Sequence, residues 1–223
     1  PPPPPPSHTP PPPPHNTPRP WSSAASDVYK RQVDQFIMEV CVERIGCAPS
    51  QGARLGLAKQ VGDESQHVRI QREWMAQFGV SVTPLIDEQS LERFRVHFRG
   101  LNWIDFLTDL YLVIEALGSQ AVEQIVPLAD PGTRESLRIP LQDELDHVAF
   151  GMDELKTALS GLEEAQRSYI IEHIPERIEY LVTMLQQLDL PVRGWFEQVG
   201  VDYLLVCERL DLRRRELVTE LAA

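Results

Sequence analysis

Asp63-Glu64-Ser65-Gln66-His67-Val68 and Asp143-Glu144-Leu145-Asp146-His147-Val148 carry one pattern, D-E-x-x-H-V, twice in a single chain. Positions three apart on an α-helix lie on one face, so each stretch aims a carboxylate and an imidazole at a common point. Glu64 and His67 share their face with Leu57, Val61, Val68 and Met75, which turns them toward a core rather than toward water. A buried carboxylate without a partner is costly, and a cation held between helices removes that cost.

A third acid joins them by counting. Glu115 sits among Tyr111, Leu112, Ile114 and Leu117, an apolar setting for a charge. Asp130-Pro131-Gly132 is a strong turn signal. Glu115 lies 15 residues before Asp130, and Glu144 and His147 lie 14 and 17 after it. At about 1.5 Å per residue these reach the same height on paired helices. The other helix pair turns near Ala48, which calls for an acid near the start of the first helix. Asp34 fits, standing 30 residues before Glu64 as Glu115 stands 29 before Glu144. It falls on the apolar face near Met38 and Cys41, whereas Glu39 points to the opposite side. A residue upstream of Val33 is the remaining alternative for this position. No lysine or arginine falls in the predicted layer, which weighs against a metal-free salt-bridge network.

The pattern predicts an all-α chain. A first helix is expected over Val33–Ile45 and a second, capped by Ser50, from there to Phe78. A crossover follows over Gly79–Gly100, with a short helix near Leu91–Phe98. A third helix, capped by Asn102, runs over Trp103–Val126, and a fourth over Arg134–Leu159 with Pro140 as a kink. Residues 162–223 form a C-terminal helical extension, broken near Pro175 and at Pro191–Gly194, with an apolar stripe through Ile170, Ile174, Ile178 and Leu181. No segment reads as a strand. Short turn, long crossover, short loop is the topology of a four-helix bundle with one long crossover.

Residues 1–32 hold 13 of the 20 prolines and almost no aliphatic side chains, so they are expected to be a disordered, solvated leader. SSAASDVYKRQ, residues 22–32, looks like translated adapter sequence from an environmental read. On that reading the leader is non-native and the native chain begins upstream of Val33. Roughly 190 residues remain for one sizeable core, residues 33–223. The net charge of -12 argues against nucleic acid and anionic membranes as partners. Arg213–Arg215 is the one dense basic cluster and reads as a solvated helix face. Cys41, Cys47 and Cys207 form no CxxC pair, consistent with free thiols in a reducing cytoplasm. No apolar run is long enough to span a membrane, and the expected location is cytoplasmic.

Two Glu-x-x-His helices plus one carboxylate from each of two others resemble the ferritin-like di-iron carboxylate proteins. The segments LAKQVGDESQHVRI (57–70) and LQDELDHVAFG (141–151) are most similar to the oxygenase subunits of the phenylacetyl-CoA and benzoyl-CoA epoxidase type. The resemblance implies a ferritin-like bundle holding two iron ions on Asp34, Glu64, His67, Glu115, Glu144 and His147. Four carboxylates and two imidazoles without a thiolate suit iron, with manganese the alternative. It also implies that Asp143 holds His67 and Asp63 holds His147 through the imidazole nitrogen facing away from the metal.

The expected function is an O2-activating di-iron oxygenase or oxidase acting on a small organic substrate by hydroxylation or epoxidation. Its expected partners are O2, that substrate, a reductase or other electron donor, and a second copy or partner subunit. Two alternatives stay open: a ferritin- or rubrerythrin-like iron-handling or peroxide-scavenging protein, and a metal-free scaffolding subunit. The rubredoxin-type CxxC of rubrerythrins is absent. Gln71 stands where the ribonucleotide reductase small subunit places its radical tyrosine. Gly118 and Ser119, one turn beyond Glu115, offer either room for substrate or close helix packing. Tyr111 is a core residue or an electron relay. His97 and His173 read as surface or boundary residues, Met38 and Met75 as core filler, and Trp74, Trp103 and Trp195 as packing anchors.

Overall fold

The computed structural model describes residues 21–77, 79, 83–129 and 131–222, with side chains from Val28 onward. The proline-rich residues 1–20, Phe78 of the second helix's stripe and Asp130 of the turn lie outside the described residues. The described residues are helical, with no strand among them. No helix among them is long and apolar enough to cross a membrane.

Helix α1 (Trp21–Ile45) and α2 (Gln51–Gln77) form the first hairpin. Ser50 Oγ caps α2 by accepting the Ala53 amide at 2.9 Å. The crossover carries α3 (Glu88–Arg99), whose N-cap Asp87 accepts from the Ser90 amide. Asn102 caps α4 (Trp103–Leu107), accepting the Asp105 amide at 2.9 Å. The chain then runs on through a π-helical segment, Thr108–Leu117, into α5 (Gly118–Glu123). A 3-10 turn at Val126–Leu128 leads to α6 (Pro131–Ser160), with Pro140 inside it. The remaining helices are α7 (Glu164–Gln186), α8 (Val192–Gln198) and α9 (Tyr203–Ala222). Helices α1, α2, α6 and the continuous helix from Trp103 to Glu123 make the bundle. Helix α3 and α8 pack on α1, while α7 and α9 pack on the π-helical segment.

Three expectations need correction. Helix α1 starts at Trp21, not Val33, so residues 21–32 are helical rather than a disordered leader. Tertiary contacts explain the extension: buried Gln32 donates to the Ile86 carbonyl at 2.9 Å and accepts from the Leu85 and Ile86 amides, and Tyr29 packs on Trp195. Pro175 does not break α7, because Ile174, Ile178 and Leu181 bury the helix on both sides of the missing N–H. The third helix is not uniformly α, and it ends at Glu123 rather than Val126. Its π-helical stretch is the kind of irregularity that concentrates at functional sites.

The apolar core runs between the helices through Phe36, Ile37, Leu57, Phe98, Phe106 and Leu155, all buried. It packs the bundle on one side of a layer of polar side chains that is equally buried.

A candidate metal centre

The buried face of α2 reads Ala53, Leu57, Gln60, Glu64, His67, Gln71, Met75. The three-and-four spacing is that of any core stripe, yet its middle four residues are polar. Helix α6 repeats the arrangement with Glu144 and His147 between Pro140 and Gly151. Asp34 on α1 and Glu115 on the π-helical segment complete the layer, and all six side chains are buried. One ligand atom each from Asp34, Glu64 and His67 lie within 4.8 Å of one another, and the same holds for Glu64, Glu115 and His147. The two triads share Glu64, which places it between two clusters that could each hold a cation. Glu39 lies outside the layer, ion-paired with Arg95 at 2.9 Å.

The imidazoles are oriented across the site. His67 Nε2 lies 2.9 Å from Asp143 Oδ2, and His147 Nε2 lies 3.1 Å from Asp63 Oδ2. When an imidazole is neutral, a carboxylate at Nε2 keeps the proton there and leaves the Nδ1 lone pair free. Both Nδ1 atoms face the cluster: His67 Nδ1 is 3.2 Å from Glu64 Oε2, and His147 Nδ1 is 3.5 Å from Glu64 Oε1. Glu64 Oε1, Glu115 Oε2 and His147 Nδ1 are buried and make no hydrogen bond. These three atoms belong to the second triad, so the residues present fit a cation there.

Lys30 corrects the expectation that no basic residue enters the layer. Its buried Nζ lies 2.5 Å from Asp34 Oδ1 and also contacts Glu144 Oε1. Among the described residues it is the one lysine or arginine ion-paired with the cluster. One ammonium does not balance Asp34, Glu64, Glu115 and Glu144. The imbalance shows in the acidities of Glu64 and Glu144. Burial and the Asp34 charge push the Glu64 carboxyl up to about 8, against the pull of His67. Burial also raises Glu144, although Lys30 pulls it down. Burial alone would lower His147, but Glu115, Glu64 and Asp63 hold it up at about 9. A cluster that retains protons this strongly is short of positive charge.

Two further polar residues support the layer, and motif reading missed both. Gln60 donates to Glu115 Oε1 at 2.5 Å and accepts from the Tyr111 hydroxyl at 2.5 Å. An ionised Glu115 can only accept, so the Gln60 amide nitrogen faces it and the amide oxygen is left to take the Tyr111 hydroxyl. That holds one oxygen of Glu115 and leaves Oε2 facing the centre. Tyr111 is pressed against Gly151, where an added Cβ would fall 2.0 Å from the Tyr111 ring. The other addition is Gln71, which donates to Asp34 Oδ2 at 2.8 Å. The signal available in the sequence was the run of polar residues on α2's core face, one turn to either side of Glu64 and His67.

His97 is not an idle boundary residue. Its Nε2 lies 2.6 Å from Oδ2 of fully buried Asp109, which Arg177 also grips. His173 is half-buried, with Nδ1 2.7 Å from the Tyr169 carbonyl. The cysteines are free thiols, Cys41 buried and the other two exposed.

Fold and site together define a ferritin-like helical bundle with a buried carboxylate–imidazole cluster at its centre. Among solved structures the chain is similar to one titled "Protein 19 with aldehyde deformylating oxidase activity" from Synechococcus. The TM-score is 0.58 at 18% identity, covering 91% of this chain and 87% of that one. No family model and no curated protein matches the sequence.

Proposed function

We propose that this chain is an O2-using di-iron oxygenase or oxidase, with Asp34, Glu64, His67, Glu115, Glu144 and His147 as the metal ligands. The observation that carries the reading is the pair of buried triads sharing Glu64, with Glu64 Oε1, Glu115 Oε2 and His147 Nδ1 lacking hydrogen bonds. Carboxylate and imidazole donors without a thiolate favour iron, manganese being the alternative. Iron, when bound, supplies the electrons and open positions with which O2 is reduced. The chain's own residues do the rest. Asp143 and Asp63 fix the two imidazoles, Gln60 and Tyr111 fix Glu115, and the buried layer excludes water.

Hydroxylation or epoxidation of a small organic substrate is the reaction class this arrangement supports, with a reductase or other electron donor restoring the metals. The similar Synechococcus protein is described as having aldehyde deformylating oxidase activity, and this fits the reading. At 18% identity, however, the likeness supports the fold, and the activity rests on the site. An internal cavity opening beside Glu115 and Glu144 favours an enzyme over an iron store. Iron titration in air with light scattering tests the choice. A small oligomer saturating at about two irons per chain, the stoichiometry of six such ligands, supports it. A many-subunit cage that continues to take up iron as mineral overturns it.

A further inference from the structure

We infer that the cavity beside Glu115 and Glu144 binds a neutral, mainly hydrocarbon molecule, and that Gly118 sets how closely it approaches the centre. This substrate class belongs to the di-iron reading above and rests on it. The cavity holds about 600 Å³ and reaches from Glu115 and Glu144 out to α7, α8 and α9. That is the size range of small-molecule sites. Ile37, Val113 and Leu117 line it from the bundle, and Ile178, Val182 and Leu210 line it from the C-terminal helices. The extension after α6 therefore forms half of the wall, which gives those helices a role beyond covering the bundle.

Gly118 lines the cavity directly after Leu117, and an added Cβ there would meet nothing within 4 Å. Its backbone is ordinary right-handed helix. Neither packing nor backbone conformation requires glycine, and glycine weakens a helix interior. Of the two readings of Gly118, close packing and open room, the structure favours room.

The charges at the outer end favour a neutral ligand. Arg214 is held by Glu179 and Asp211, and Arg193 by Glu197. Each arginine already has a carboxylate partner that a phosphate or carboxylate would have to displace, and an unpaired charge in an apolar cavity is costly. A bulky anionic carrier such as a CoA thioester is disfavoured on the same ground.

The test is calorimetric titration of the ferrous-loaded chain, without O2, with hexanol, octanol and decanol. Each methylene buried in the cavity should tighten binding about fourfold, the factor equivalent to ~0.8 kcal/mol per CH2. Gly118→Leu should weaken decanol binding at least about tenfold, since its side chain takes the space of several methylenes, with iron content unchanged. Equal affinity for the three alcohols would overturn the inference. So would an unaffected Gly118→Leu, or octanoyl-CoA binding more tightly than octanol. Alcohols that bind in this graded way to a chain that takes up no iron would leave the cavity standing and remove the di-iron reading. Iron uptake without alcohol binding would do the reverse.

Discussion

Asp109 and Glu115 are buried acids on the same π-helical segment, and the fold treats them differently. Asp109 is closed by Arg177, whose Nε lies 2.7 Å from Oδ1, and by the His97 ring, whose Nε2 lies 2.6 Å from Oδ2. Arg177 also reaches Asp105 at 3.1 Å. Glu115 receives a neutral amide from Gln60 and keeps Oε2 without a hydrogen bond. Around it stand Glu64, Glu144 and Asp34, facing Lys30 and the His67 and His147 rings, whose Nδ1 atoms lie 3.2 and 3.5 Å from Glu64. Where this chain buries an acid for structure alone, it supplies the counter-charge from its own side chains. The cluster around Glu64 sets four buried acids against one lysine and two imidazoles, and that excess of acid is the observation that supports the metal reading.

The contrast is broken most forcefully at Arg177. Replacing it with methionine leaves buried Asp109 with the His97 ring alone, and removing one partner of a buried pair costs about 3–5 kcal/mol. Urea unfolding should show that loss, and iron should not specifically restore it. An unchanged midpoint would mean that Asp109 does not need its cation, and the comparison would lose its reference. The reciprocal experiment is at the centre. At about a hundredfold excess over the dissociation constant, ferrous iron should stabilise the parent by about 2.7 kcal/mol. Glu64→Ala should abolish that gain, because Glu64 belongs to both triads.

How much of this was legible in the sequence follows from how local each signal is. Glu64, His67, Glu144 and His147 are read from three-residue spacing, and Glu115 and Asp34 from counting along helices of known rise. The Asp63 and Asp143 contacts follow from the resemblance to the di-iron carboxylate proteins, and the structure places each within hydrogen-bonding distance of the opposite histidine. What the sequence hid are partners brought together across the fold. Lys30 meets Glu144 across 114 positions, Tyr111 meets Gln60 across 51, and Arg177 meets Asp109 across 68. Lys30 was hidden twice, since the proline-rich composition upstream made its whole segment look like a leader. The π-helical register of Thr108–Leu117 has no residue signature, so counting at α-helical rise could not reveal it. Pro175 looked like a break because proline's missing N–H is a local fact, whereas the burial that carries α7 past it is not.

Smaller perturbations sharpen the picture. Gly151→Ala drives a methyl into the Tyr111 ring, and overpacking of this kind costs about 1–3 kcal/mol. Thermal unfolding should report that loss. Iron titration should show weakened binding at the Glu64–Glu115–His147 position, because Tyr111 orients Gln60. Destabilisation with full iron affinity would show that Tyr111 only packs. Glu39→Ala should have the smallest effect. Its pair with Arg95 is only partly buried and lies at the surface, where such pairs contribute about 0–1 kcal/mol. Iron content should stay at the parent value in Glu39→Ala and fall in Asp34→Ala. The reverse pattern would move the first ligand to Glu39.

The most direct measurement of the central claim is iron per chain after anaerobic ferrous loading and desalting, made on the parent, Lys30→Met and Glu64→Ala. The account predicts about two irons per chain in the parent and in Lys30→Met, the count for six ligands of this kind, and a large loss in Glu64→Ala. Negligible iron in both the parent and Lys30→Met, with Glu64→Ala indistinguishable from them, would contradict it and leave the cluster as a protonated, lysine-bridged network.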